Sequence, residues 1–331
     1  MSQPPGVPPV PWGAARVPPA LLAPHERPIP YHQILLTRTY RPWRPALGLA
    51  VLVVVIAVAM TVVIATAIVA DLVTSGDPVD QVLDRFVSDI TPLALLATNL
   101  SLAVAIPASM LALLVAHRLR PGWLGSVAGR LRWGLMGRFA LLALAVMAGS
   151  IVLSLFLPAD ESTGTAGEIE LASLGTWLAF AAVVLLTTPL QAAGEEYAFR
   201  GYAFQALSAW FRSPVPGAVI TSLLFALAHG GQNPWLFVDR FAFGLIACWL
   251  VVRTGGLEAA IALHAAYNSV SFLLAAALGQ VSDTLTTSDI PWWYAAFDVA
   301  RLLVFAWLAV RIADRQGVSR VTTPAEPWRP A

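Results

Sequence analysis

Three short motifs in the second half of the chain hold the residue types that activation of water requires. The first is Glu195-Glu196-Tyr197-Ala198-Phe199-Arg200. On a helix Glu196 and Arg200 are four apart and can pair, whereas Glu195 points about 100° away and stays available as a general base. In Phe225-Ala226-Leu227-Ala228-His229 the phenyl ring and the imidazole share one helix face. In His264-Ala265-Ala266-Tyr267-Asn268 the same spacing sets an imidazole beside a carboxamide. Both can donate a hydrogen bond to one oxygen, as an oxyanion hole needs. Together they supply a base, its partner and two donors. Taken singly, each has a plainer reading: interfacial ion pairs at Glu195, Glu196 and Arg200, and packed histidines elsewhere.

The elements that must carry these motifs are membrane helices. The 331-residue chain is 58% apolar and 12% charged, more hydrophobic than one soluble core can bury. Charge-free runs at residues 46–70 and 92–116 are each long enough to cross about 30 Å of hydrocarbon. Further apolar runs lie at 139–157, 171–193, 216–230, 236–252, 257–278 and 292–310. The expected fold is therefore all-α, a polytopic transmembrane helical bundle of about eight spans, the fifth of them short.

Arginine positions predict orientation, because basic short loops stay on the cytoplasmic side. All basic residues are arginine, and they cluster before the first span (Arg27, Arg38, Arg41, Arg44) and after the second (Arg118, Arg120, Arg130, Arg132, Arg138). Acidic residues dominate the alternate loops: Asp71, Asp77, Asp80, Asp84 and Asp89, then Asp160, Glu161, Glu168 and Glu170, then Asp283 and Asp289. Arg212, Arg253, Arg311, Arg315 and Arg320 continue the alternation. A multi-pass protein of the cell's inner (plasma) membrane with both termini cytoplasmic fits every loop.

Four regions follow. Residues 1–45 read as a proline-rich disordered cytoplasmic tail, with ten prolines in the first thirty residues. Residues 46–170 hold the N-terminal membrane helices, residues 171–280 the chemistry-bearing core, and residues 281–331 the last span and a short cytoplasmic tail. A net charge of +1 gives no attraction to nucleic acid, and the single Cys248 forms no intrachain disulfide or cysteine cluster.

In this order and spacing the three motifs resemble the signature EExxxR, FxxxH, HxxxN of the CAAX prenyl endopeptidase and bacteriocin-processing (CPBP, or Abi) intramembrane proteases. The resemblance covers roughly residues 171–278. It implies that Glu195 and His229 position and activate water, that His264 and Asn268 stabilise the oxyanion, and that Glu196, Arg200 and Phe225 support them. The implied partners are a peptide or protein substrate at the membrane and the lipid bilayer. Prenylation of the substrate does not follow from the sequence.

This mechanism requires no cofactor, yet Glu195, His229 and His264 could also be zinc ligands around a bound water, and the sequence leaves the metal question open. By simple counting, Glu195 lies near the cytoplasmic end of its span and His229 near the far end of a short one. They meet only if the fourth helix continues past Glu195 or the fifth enters obliquely. Other charges read as structural: Asp298 with Arg301, Asp239 with Arg240, and Glu258 with Arg253 or with the start of its own helix. Gly194, Gly201 and Gly244 read as close-packing points. Two further classes stay open: a non-catalytic scaffold or bacteriocin-immunity protein on the same fold, and a transporter using the buried charges as a relay.

Overall fold

A computed structural model describes residues 25–158 and 171–323. The helices in chain order are α1 (Trp43–Ser75), α2 (Val79–Val87), α3 (Pro92–Ala103), α4 (Ala105–His117), α5 (Gly122–Gly125), α6 (Trp133–Ser154), α7 (Leu174–Glu196), α8 (Phe204–Phe211), α9 (Pro214–Leu227), α10 (Pro234–Thr254), α11 (Glu258–Ala277), α12 (Val281–Thr286) and α13 (Trp292–Arg315). Among the described residues there is no β-strand, only two isolated bridges. The all-α expectation holds.

Six helical stretches are long and apolar enough to cross a membrane, among them a 26-residue unit formed by α3 and α4 and a 38-residue unit, Leu174–Phe211. The chain is a multi-pass membrane protein. The remaining two expected spans are helices of a different character. α9 has 14 residues, about 21 Å of rise. α13 has 24 residues, and Asp298 and Arg301 interrupt its apolar run.

The run expected as one helix over 92–116 breaks at Val104 into α3 and α4. Pro107 is the physical reason, since it has no N–H for the Ala103 carbonyl and its ring crowds that turn. At the other end of the core, α7 passes without interruption into a π-helical segment, Tyr197–Ala203, and then α8. The fourth helix thus continues past Glu195, which resolves the apparent mismatch in depth. α9 starts on a Ser213 cap with proline in its first turn and runs back along α8. Phe225 thereby returns to the level of Phe199, with ring centroids 5.4 Å apart.

Close approach fixes α7. A Cβ on Gly194 would sit 2.3 Å from the Leu102 carbonyl of α3, and Asn99 of α3 donates to Thr187 and Thr188 at 2.9 and 3.0 Å. Gly244 of α10 similarly admits Ser222 of α9, whereas Gly201 has only ordinary contacts. The π segment is held by Tyr202, which is fully buried and meets His117 of α4 at 3.1 Å. α11 packs against α7 and α6, and α10 lies between α9 and α13.

Three expectations need correction. Glu258 pairs with Arg132 rather than with Arg253 or the start of its own helix. Its carboxylate accepts from Arg132 Nη2 at 2.7 Å, Arg132 Nε at 2.8 Å and the Arg132 backbone N–H at 2.9 Å, clamping the start of α11 to α6. Arg240 reaches Gln232 at 2.7 Å rather than pairing with Asp239. The disorder expected over residues 1–45 does not extend to the described residues from His25 onward. Residues 1–24 lie outside the described residues, but from His25 onward the chain packs, with Tyr31, Ile34 and Leu35 fully buried and Tyr31 Oη donating to the Leu124 carbonyl. The acidic loop residues Asp160, Glu161, Glu168 and Glu170 and the C-terminal residues 324–331 also lie outside the described residues. Asp298 and Arg301 do pair, at 2.9 Å.

Candidate active site

The three motifs meet where α7 turns into the π segment. A π-helical stretch directly after Glu195 and Glu196 is a local irregularity of a kind frequent at functional sites. Glu196 and Arg200 are both fully buried and pair at 3.0 Å through Nη1. The Arg200 guanidinium lies 4.2 Å from the Phe225 ring centroid and 5.3 Å from that of Phe243, so two aromatic faces receive the charge that the membrane interior does not solvate. This gives Phe225 a role: it floors the ion pair and also contacts both histidines, with ring centroids 4.8 Å from His229 and 6.0 Å from His264.

His264 sits between the two glutamates. Its Nδ1 is 2.8 Å from Glu196 Oε1, and its Nε2 is 3.3 Å from Glu195 Oε2. Because Glu196 Oε1 already accepts from Arg200, it serves His264 as an acceptor too, and Nδ1 is assigned as the donor. The Nε2 lone pair would then face a carboxylate oxygen unless a proton lies between them. Glu195, expected to be free of partners, is therefore free of arginine but not of histidine. Its Oε2 is buried and makes no properly aligned hydrogen bond.

Asn268, one turn along α11 from His264, donates from Nδ2 to Gln191 Oε1 at 3.0 Å. Gln191 stands one turn before Glu195 on α7 and is buried. The sequence reading missed it, although a glutamine within an apolar span and four residues from a candidate base is a usable signal. The glutamate-bearing turn of α7 is thus faced by His264 of α11, and the turn before it, at Gln191, by Asn268. His229, just beyond α9, is held by its Nδ1 at 2.8 Å from the Phe225 carbonyl, which leaves Nε2 as its acceptor; no hydrogen bond joins it to Glu195.

The zinc alternative does not fit this arrangement. Among the described residues no group of three or more His, Cys, Asp or Glu side chains is placed to hold a metal ion. His264 faces a carboxylate with each ring nitrogen and would have to release one to become a ligand.

A family model described as type II CAAX prenyl endopeptidase Rce1-like matches residues 176–270, which include all three motifs. The uncharacterized protein YyaK of Bacillus subtilis (strain 168) is 30% identical over 151 residues, which are 42% of this chain and 50% of that protein. The chain thus spans about half the length of this curated relative. No solved structure matches the chain. With Glu195, Glu196, Arg200, Phe225, His229, His264 and Asn268 all inside the matched segment and gathered at one place, residues 176–270 are an Rce1-like domain of the CPBP type II CAAX prenyl endopeptidase family.

Proposed function

We propose that this chain is an intramembrane endopeptidase that hydrolyses peptide bonds near the cytoplasmic leaflet with water activated by Glu195 and His229. The observation that carries the reading is His264 lodged between Glu195 and Glu196 while the neighbouring Asn268 is tied to Gln191. This fixes one carboxylate, one imidazole and one carboxamide together where α7 faces α11.

In the proposed reaction Glu195 removes a proton from water that the open Nε2 of His229 helps orient. The water oxygen attacks the scissile carbonyl carbon, and the carbonyl π electrons move to its oxygen. That oxyanion accepts hydrogen bonds from the Nε2–H of a doubly protonated His264, whose Nδ1–H stays on Glu196, and from the second N–H of Asn268, the first being used on Gln191. The tetrahedral intermediate then collapses with loss of the C–N bond, and Glu195 passes its proton to the departing amine. The products are a carboxylate-terminated and an amine-terminated peptide. Glu196 and Arg200 hold His264 and the helix in register.

The same proposal places residues 171–280 as the catalytic core, with both termini cytoplasmic. The arginine clusters on alternate loops support that orientation. The test is cleavage of a quenched peptide library by the purified protein beside its Glu195→Ala and His229→Ala variants, with and without a strong chelator. The proposal expects activity in the wild type that persists with chelator and falls by about 10²- to 10⁴-fold in each variant. Equal inertness of folded wild type and variants across substrates would favour a scaffold or immunity role, and abolition by chelator would assign the water to a metal.

A further inference from the structure

α10 and α13 carry the same side-chain stripe at four-residue spacing: Leu245, Trp249, Arg253 on one and Leu303, Trp307, Arg311 on the other. The helices run parallel. Leu236 near the start of α10 clusters with Ala295 near the start of α13, and at the other end Arg320, just beyond α13, donates to the Arg253 carbonyl at 2.7 Å. The two stripes therefore lie side by side, with both arginines toward the same end.

Between them is an apolar groove of about 500 Å³ lined by Leu245, Ile246, Trp249, Leu303, Ala306 and Trp307. At its polar end each arginine folds over its own tryptophan. The Arg253 guanidinium is 5.8 Å from the Trp249 ring and that of Arg311 is 4.2 Å from Trp307. Arg253 Nε is buried without a hydrogen-bond partner among the described residues, and neither arginine has a carboxylate partner there. Unpartnered cations capping an apolar slot at the membrane surface match a molecule with a hydrocarbon body and an anionic head.

We propose that this groove is a binding site for one anionic phospholipid, an acyl chain lying between the leucines and tryptophans and the phosphate held by Arg253 and Arg311. It is a site separate from the glutamate and histidine residues and does not depend on their being catalytic. A second copy of the chain is a poorer occupant, because both rims present arginine and an isologous contact would oppose like charges.

The test is native mass spectrometry of the full-length protein titrated with phosphatidylglycerol or with phosphatidylcholine. The site predicts one retained phosphatidylglycerol per chain, weaker phosphatidylcholine retention, and no displacement by inorganic phosphate. Arg311→Gln, on an exposed position that does not endanger folding, should weaken phosphatidylglycerol retention about five-fold, and Arg253→Gln/Arg311→Gln about 25-fold. The control Arg41→Gln/Arg138→Gln should leave it unchanged. Equal retention of both lipids, equal loss in the control, displacement by phosphate, or a Trp307→Cys cross-link between two chains in place of lipid would each overturn the proposal.

Discussion

A 2.8 Å hydrogen bond joins His264 Nδ1 to Glu196 Oε1, the same oxygen that Arg200 reaches at 3.0 Å, so the buried ion pair of one helix also orients the imidazole of another. Fixing the tautomer of a histidine through one ring nitrogen decides what the other can do. Glu196 and Arg200 therefore belong to the site through His264, even though neither faces a substrate in the proposed reaction.

Removing one member of the buried pair should be costly. Arg200→Met leaves Glu196 charged in an apolar setting, and a loss of about 3–5 kcal/mol is expected. Thermal unfolding in detergent should show a large fall in Tm for Arg200→Met, and a smaller one for the double variant Glu196→Leu/Arg200→Met, which removes both charges together.

Close packing at Gly194 yields a second expectation. Any Cβ there meets the Leu102 carbonyl at 2.3 Å, backbone that cannot swing aside. Gly194→Ala should lower stability by about 1–3 kcal/mol and shift Glu195 with α7. Gly201→Ala, with nothing nearer than 3.5 Å, should unfold within a degree or two of wild type in the same measurement.

Gln191 offers a way to separate positioning from packing. Gln191→Leu keeps the volume but frees Asn268, so kcat should fall roughly ten-fold with KM little changed. Asn268→Ala should fall further, by about 10²- to 10³-fold, as expected for loss of an oxyanion donor. Equal kcat in Gln191→Leu and wild type would remove Gln191 from the site.

Arg132→Ala should detach the start of α11 from α6. It leaves the fully buried Glu258 without the guanidinium that now satisfies it, and a loss of about 3–5 kcal/mol is expected. Hydrogen exchange at the backbone amides of residues 258–263 should accelerate in the variant. Exchange unchanged from wild type would mean that α11 is held elsewhere.

Much of this architecture was legible in the sequence because lipid imposes a simple requirement: long apolar runs must be helices, and charges inside them must find partners. The three motifs could be paired with one another because four-residue spacing survives in any regular helix. What escaped depended on contacts distant in sequence or on local irregularity. Arg132 and Glu258 are 126 residues apart, and neither residue type announces its partner. No periodicity marks the π segment at Tyr197–Ala203. The packed stretch from His25 was hidden by its proline-rich neighbours, although Tyr31, Ile34 and Leu35 supply an apolar face. The departure of Arg240 from Asp239 reflects geometry as well: adjacent helical residues point about 100° apart and seldom meet.

The central claim is that Glu195 is the base. Its most direct test is single-turnover hydrolysis of one cleaved peptide by wild type and by Glu195→Gln, an isosteric change that keeps the side chain beside His264 but cannot accept the proton. The account predicts intact folding, unchanged peptide binding and a rate lowered by about 10²- to 10⁴-fold. A folded Glu195→Gln protein that cleaves the peptide at the wild-type rate would contradict it.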